Sequence, residues 1–255
     1  MSTPVRPVPV RSVRVPHMFQ IFPIFRHCSR ALAKVSLVFA LTSLPLMAED
    51  TQMRFDIRLG ALKVGHLGVA ASETDQTYAV RAQFQDTGLV GILVGIRFDA
   101  HAQGTRLGTS LIPRKYEENV DTGRRQSLTR LQYDAGLPQV LGDTSTSPLL
   151  IALEDQRGTV DPLTALYTVL RSGPAPCNKN IPVFDGRRRS LLTLGPMREG
   201  QCSGNYRRVA GYSDAEMRER ASFPLTLRFT GVEGRSHLVE AKVDTLWGPA
   251  TLTRQ

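Results

Sequence analysis

Residues 161–170 have the sequence Asp161-Pro162-Leu163-Thr164-Ala165-Leu166-Tyr167-Thr168-Val169-Leu170. The apolar residues Leu163, Leu166, Tyr167 and Leu170 follow the three- and four-residue spacing of one helix face. Asp is favoured as an N-cap, and Pro suits the first helical turn. Ser172-Gly173-Pro174 then ends the pattern. The sequence therefore predicts one helix near residues 161–171 whose apolar face packs against another layer.

The chain on both sides of this helix alternates apolar and polar residues. Met53, Phe55, Ile57 and Leu59, for example, alternate with charged residues, which is the period of a strand with one face in solvent. Asp185-Gly186 lies between two such segments and is a strong hairpin signal. We predict a mainly β protein, an antiparallel curled sheet or incomplete β-barrel of about ten strands with the helix packed on it.

The first 48 residues differ in composition from the rest. They contain six basic and no acidic residues, then the apolar run Val35–Leu44 and Ala48 before Glu49-Asp50. This pattern predicts a secretory signal peptide over residues 1–48, cleaved near Ala48, with Met18 as an alternative start. A signal anchor is the other interpretation, but the run is shorter than the ~20 residues that a membrane span needs. We expect a single β-rich periplasmic domain over residues 49–255.

The charge balance changes when the leader is removed. The whole chain has 32 basic and 23 acidic residues and a net charge of +9. Residues 49–255 retain 26 basic and 23 acidic residues, a net charge of +3. Nucleic-acid-binding proteins need a strong, clustered basic excess, so we expect no nucleic-acid partner.

Two cysteines, Cys177 and Cys202, remain after the predicted cleavage. In an oxidising compartment such a pair predicts a disulfide bond, which would stabilise the fold by roughly 3 kcal/mol. Two unpaired thiols are the alternative. Neither cysteine has a second Cys or a His at metal-ligand spacing, so we predict no metal site and no cofactor.

No catalytic motif is present in the sequence. It lacks a nucleophile elbow, a phosphate-binding loop and a metalloprotease helix. The three histidines after the leader, His66, His101 and His237, fall in different predicted strands. We therefore predict no catalytic residue. A hydrolase acting on an envelope polymer stays open as an alternative, and it would require His101 or His237 beside a carboxylate in a cleft.

Two groups of residues are candidates for binding. Arg187-Arg188-Arg189 and Arg124-Arg125 lie at predicted turns, where they would bind an anion or, alternatively, protect a sheet edge as solvated charges. The apolar residues Leu89, Val90, Ile92 and Leu93 lie between Gly88 and Gly95 and are candidates for an apolar-ligand site, with a buried connecting turn or short helix as the alternative. The lone Trp247 predicts a packing anchor.

The helix and hairpin motifs together resemble a known family. Asp161-Pro162-Leu163 and Asp185-Gly186-Arg187-Arg188-Arg189 are similar to domain of unknown function 3108, a family of exported, β-rich bacterial envelope proteins. Lys63-Val64-Gly65, Thr87-Gly88 and Ile112-Pro113 fit the same pattern, and the resemblance covers roughly residues 52–250. The family has no assigned activity, so the resemblance implies an envelope β-protein and carries over no catalytic residue.

These observations favour a non-catalytic binding protein. We expect it to bind an apolar or amphipathic envelope component, or a partner protein, on the concave side of its sheet, and to be peripheral to the membrane at most. One alternative is an envelope assembly scaffold that uses its Arg turns on an anionic surface, and the other is the hydrolase. A completely filled core would contradict the carrier interpretation.

Overall fold

The computed structural model describes residues 48–86, 97–121, 126–142, 151–232 and 235–255. Within these residues, thirteen strands form one antiparallel sheet. The strands are β1 (Glu49–Leu59), β2 (Leu62–Glu73), β3 (Thr77–Asp86), β4 (Arg97–Leu107), β5 (Ser110–Asp121), β6 (Gln126–Asp134), β7 (Leu137–Leu141), β8 (Lys179–Phe184), β9 (Arg189–Leu194), β10 (Gln201–Ala210), β11 (Ser222–Val232), β12 (Arg235–Thr245) and β13 (Gly248–Arg254).

The sheet has two arms that meet at β1. The order of strands is β7-β6-β5-β4-β3-β2-β1-β13-β12-β11-β10-β9-β8, so chain neighbours pair within each arm and β1 also pairs with β13. This nearly closed, barrel-shaped sheet confirms the predicted fold class. The predicted number of about ten strands was too low. In particular, we did not predict β13, because its Pro249, Thr251 and Thr253 interrupt the apolar pattern.

The edge strands β7 and β8 are connected through residues 158–160. The N–H of Gly158 donates to the carbonyl of Gly136 in the β6–β7 turn at 2.9 Å. Val160 exchanges backbone hydrogen bonds with Pro182 and Phe184 of β8, each 2.9 Å long. Residues 158–160, which follow one turn of 3-10 helix at Glu154–Gln156, thus bridge the gap between the two edge strands.

The predicted helix is confirmed as α1 (Pro162–Leu170). Asp161 is its N-cap, with its Oδ1 accepting from the N–H of Thr164 at 2.8 Å. The helix contacts β3, β4, β5, β8 and β12, which belong to both arms, so it lies inside the curled sheet. The inward residues Ala82, Ala100 and Ala102 of β3 and β4 are small and buried, and they leave room for α1.

A second, short helix, α2 (Asp214–Glu219), was not predicted. Ser213 and Glu216 form a capping box at its start, and this Ser-x-x-Glu spacing was visible in the sequence. None of its residues is buried. Since α2 lacks an apolar face, the periodicity that revealed α1 could not reveal it.

Cys177 and Cys202 confirm the predicted pair at disulfide distance. Their Cα atoms are 5.9 Å apart, and both side chains are buried. The pair joins the segment after α1 to β10. The predicted signal peptide, in contrast, falls on residues that lie outside the described ones, apart from Ala48. None of the helices among the described residues is long and apolar enough to cross a membrane.

Candidate functional site

The interior of the barrel has two different ends. At the helix end, which is defined by Tyr78, Gly104 and the C-terminus of α1, the inward side chains pack against the helix. At the other end, inward apolar side chains lie in one row across neighbouring strands and remain partly exposed. We call this the apolar end, and it is defined by Ile57, Phe84, Phe98, Val120 and Leu252.

A cleft of about 250 Å³ opens at the helix end, beside the C-terminus of α1. Five cationic and two acidic side chains line it, together with His237 and residues 172–176. We call it the cationic cleft, and its charged residues are Arg106, Arg171, Lys179, Arg235, Arg254, Glu49 and Glu73. With His237 neutral, the lining carries an excess of three positive charges.

Glu73 interacts with three other residues of the cationic cleft. Its carboxylate accepts a hydrogen bond from the Tyr167 hydroxyl at 2.5 Å and another from Nη1 of Arg171 at 3.0 Å. Nε of Arg106 lies 3.6 Å away. Burial, together with the hydrogen bond to Glu73, raises the pKa of Tyr167 above its usual range. The Glu73 carboxylate thus lies close to two arginines, and its hydrogen bond with Tyr167 links β2 to α1.

Two other cations of the cleft, Lys179 and Arg254, have donor atoms without a partner among the described residues. Within the described residues, Lys179 has no hydrogen-bond or ion-pair partner, and Nη1 of Arg254 is buried without an acceptor. Burial lowers the pKa of Lys179, and the neighbouring charge of Arg171 lowers it further. Arg254 pairs across the sheet with Phe55, which is completely buried, so both residues are on the inward face.

The histidines do not form a catalytic triad among the described residues. Nδ1 of His237 lies 2.6 Å from the hydroxyl of Ser172 at the cationic cleft, but no carboxylate of the described chain contacts His237. His101 contacts a carboxylate, since its Nε2 lies 3.0 Å from Asp99. That His side chain is 54% exposed on the outer face of the sheet.

A buried polar network surrounds the start of α1. Oδ2 of Asp161 accepts from the Thr164 hydroxyl at 2.6 Å, and that hydroxyl is 2.7 Å from the hydroxyl of Tyr78. Burial raises the pKa of Asp161 to about 6, against the opposing effect of the bonds from Thr164. Burial likewise raises the pKa of Glu118, which accepts from Tyr116. This network fixes α1 against β3 and is structural.

The Arg triplet lies at the β8–β9 turn, and most of it is engaged. Nη2 of Arg188 is 2.6 Å from Glu216 of α2, and its guanidinium lies 5.0 Å from the ring centre of Tyr212. Arg189 is 3.9 Å from Asp155. The backbone N–H of Arg187 donates to Asp185 at 2.9 Å. Anion binding by this turn stays a prediction, and Arg124 and Arg125 lie outside the described residues.

The apolar-ligand candidates Leu89, Val90, Ile92 and Leu93 also lie outside the described residues. The strand ends that flank them are Asp86 and Arg97, which are close in the chain to Phe84 and Phe98 of the apolar end.

Trp247 occupies a turn at the same end of the barrel, between β12 and β13. The predicted packing anchor was wrong, because Trp247 is 80% exposed. Leu62, the first residue of β2 after the neighbouring β1–β2 turn, is 57% exposed. A 2.8 Å backbone hydrogen bond from Gly60 to Pro249 connects the two turns, so both side chains add to the apolar surface there.

Sequence reasoning missed the cationic cleft. Its cations come from β4, the end of α1, β8, β12 and β13, and they are far apart in the chain. The one local signal was a cation directly after the helix, at Arg171, which is common at helix C-termini for electrostatic reasons. Only the order of the strands brings the other four beside it.

Comparison with known proteins gives one match. A family model described as "Protein of unknown function (DUF3108)" matches residues 54–201, more than half of the chain. The matched segment includes α1, residues 158–160 and the β8–β9 turn, whereas β11, β12 and β13 lie beyond it. No curated protein and no solved structure matches the chain.

Proposed function

We infer that this chain, which belongs to the DUF3108 family of proteins of unknown function, is an exported, non-catalytic binding protein. Its ligand would be an apolar or amphipathic component of the cell envelope, held at the apolar end. The observation that carries this proposal is the row of inward apolar side chains that remain partly exposed there. Soluble proteins normally cover such surface, and contiguous exposed apolar patches often mark binding sites.

The shape of the row favours an elongated ligand. Leu252 of β13 pairs with Ile57 of β1, and Phe84, Phe98 and Val120 pair in turn on β3, β4 and β5. Ile57 also pairs with Gly65 of β2, and the Phe84 ring lies over Gly65, so the two groups adjoin. With strands spaced about 4.8 Å apart, the row extends on the order of 24 Å along the curved sheet. A lipid-like chain fits this surface better than a compact molecule does. The candidates Leu89, Val90, Ile92 and Leu93 connect the two strands that carry Phe84 and Phe98, and we include them in the proposed site.

The filled half of the barrel limits where a ligand fits. Leu163 and Leu170 of α1, and Phe55 of β1, are completely or almost completely buried. A deep internal cavity would require α1 to leave its place. The proposal is therefore restricted to the apolar end, and it does not include a carrier with a ligand beneath the helix.

Binding of a fluorescent fatty acid, cis-parinaric acid, tests the proposal on protein purified after export. Phe98→Asp puts a charge into the row and should weaken probe binding at least tenfold, or about 1.4 kcal/mol. Leu107→Asp is the matched control, since Leu107 lies on the same strand at the opposite end and is 69% exposed. Its affinity should stay within twofold of the unmodified protein.

Two results would count against the proposal. One is an unmodified protein that binds no probe and carries no lipid in native mass spectrometry. The other is an equal loss of affinity in both variants. Thermal unfolding of each variant identifies any loss that comes from misfolding.

A further inference from the structure

We propose that the cationic cleft is a binding site for a phosphate-type oxyanion, either free or as the head group of a larger molecule. The site is at the opposite end of the barrel from the proposed apolar-ligand site, and it does not depend on that function. It was not among the anion-binding candidates of the sequence, which lie on the β8–β9 turn and at Arg124 and Arg125.

Charge is the first argument. Five cations face two carboxylates across a cleft of about 250 Å³. Each pair of like charges in a partly buried space repels more strongly than it would in water. The carboxylates are already engaged, because Glu73 is shared by Arg171 and Arg106 and Glu49 lies 3.1 Å from Arg235. A doubly charged oxyanion would offset most of the remaining excess, whereas a single carboxylate would offset less.

Unused donors are the second argument. Lys179 is partly buried and has no partner among the described residues, and Nη1 of Arg254 has no acceptor. Nη1 of Arg254 is buried, and a buried donor without an acceptor costs free energy, so such a group in a folded protein usually has a partner. Arg and Lys are the side chains that bind phosphate oxygens. The hydroxyl of Ser172, which is hydrogen-bonded to Nδ1 of His237, also lines the cleft.

Size is the third argument. The cleft has a volume of about 250 Å³. Drug-sized ligands occupy pockets of about 300–1,000 Å³. The cleft is therefore below this range and suits a small anion better than a drug-sized ligand.

Thermal unfolding in the presence of inorganic phosphate, at constant ionic strength, tests this site. Phosphate should raise the Tm of the unmodified protein, because a ligand that binds only the folded state stabilises it. Calorimetric titration should give a Kd below about 1 mM. Lys179→Gln should weaken phosphate binding at least fivefold, and Arg254→Gln should have an effect in the same direction.

Lys115→Gln is the control for total charge. Lys115 is exposed on β5, does not line the cleft and loses the same single charge. Its phosphate affinity should stay within twofold of the unmodified protein. Without phosphate, Lys179→Gln should unfold at the same or a higher temperature, because it removes an unpaired charge beside Arg171. This result would show that its weaker binding does not come from misfolding.

One further probe distinguishes the source of the anion. Tenfold tighter binding of soluble dihexanoyl phosphatidic acid than of inorganic phosphate supports a lipid head group, and equal affinities support free phosphate. Either result supports the site, provided that Lys179→Gln weakens the binding of the probe. The proposal would be overturned if neither probe binds. It would also be overturned if Lys115→Gln weakens binding as much as Lys179→Gln does.

Discussion

The two ends of this barrel are built from the same strands and differ in what covers their inward residues. At the helix end, small and buried residues such as Ala82 and Ala100 lie under α1. At the apolar end, Phe84 and Phe98 continue the same alternation on β3 and β4, and they are partly exposed. Alternation along a strand therefore specifies which face points inward. Whether that face is covered depends on a helix from a distant part of the chain.

The largest expected difference is between removing a covered and a partly exposed inward phenylalanine. Phe55 is completely buried, so Phe55→Ala should lower the free energy of unfolding by about 3–5 kcal/mol. Phe98→Ala, at the apolar end, should cost less than half as much, because its side chain loses less contact with protein. Urea unfolding measures both. Equal costs would mean that the apolar end is as well packed as the covered interior around Phe55.

The cysteine pair should have the next largest effect. The two residues are 25 positions apart and close a loop next to α1. In the chain-entropy model, a loop of this length stabilises the folded state by about 3 kcal/mol. Replacing both Cys177 and Cys202 by Ala should lower the free energy of unfolding by about this amount. The same loss should follow when the unmodified protein is reduced, and reduction should leave the double variant unchanged.

Asp161 should make the stability of the helix end depend on pH. Its folded pKa is about 6 and its ordinary value is 3.8, so the folded state takes up a proton at higher pH than the unfolded state does. The free energy of unfolding should therefore rise as the pH falls from about 6 to about 4, by roughly 2–3 kcal/mol from this group. Asp161→Asn cannot take up this proton, so its stability should depend less on pH.

The comparison with Asp161→Asn isolates one group from others that titrate in the same range. The raised pKa of Glu118 acts in the same direction, and it stays in both proteins. If the two proteins show the same pH dependence of unfolding between pH 4 and pH 6, then Asp161 is not the buried carboxyl that the structure indicates.

What could be predicted from the sequence was local. The N-cap Asp161, the helix spacing and the Asp185-Gly186 turn act over a few residues, and each is present in the structure. The cationic cleft depends on residues as distant as Arg106 and Arg254, and local patterns carry no information on that proximity. The exposure of Trp247 was missed for a related reason. A lone Trp predicts burial only on average, and its place on a hairpin turn decided otherwise.

Substitution of Trp247 should have the smallest effect on stability, and the fluorescence of Trp247 reports on the apolar end. It is the only Trp in the chain and is 80% exposed, so Trp247→Phe should change the free energy of unfolding by less than about 0.5 kcal/mol. For the same reason, unfolding in urea should hardly shift the Trp emission, although circular dichroism records the loss of the sheet. A lipid-like ligand at the apolar end should shift that emission to shorter wavelengths, whereas phosphate in the cationic cleft should leave it unchanged. Native emission typical of a buried Trp would instead mean that this end is covered, and the contrast between the two ends would then disappear.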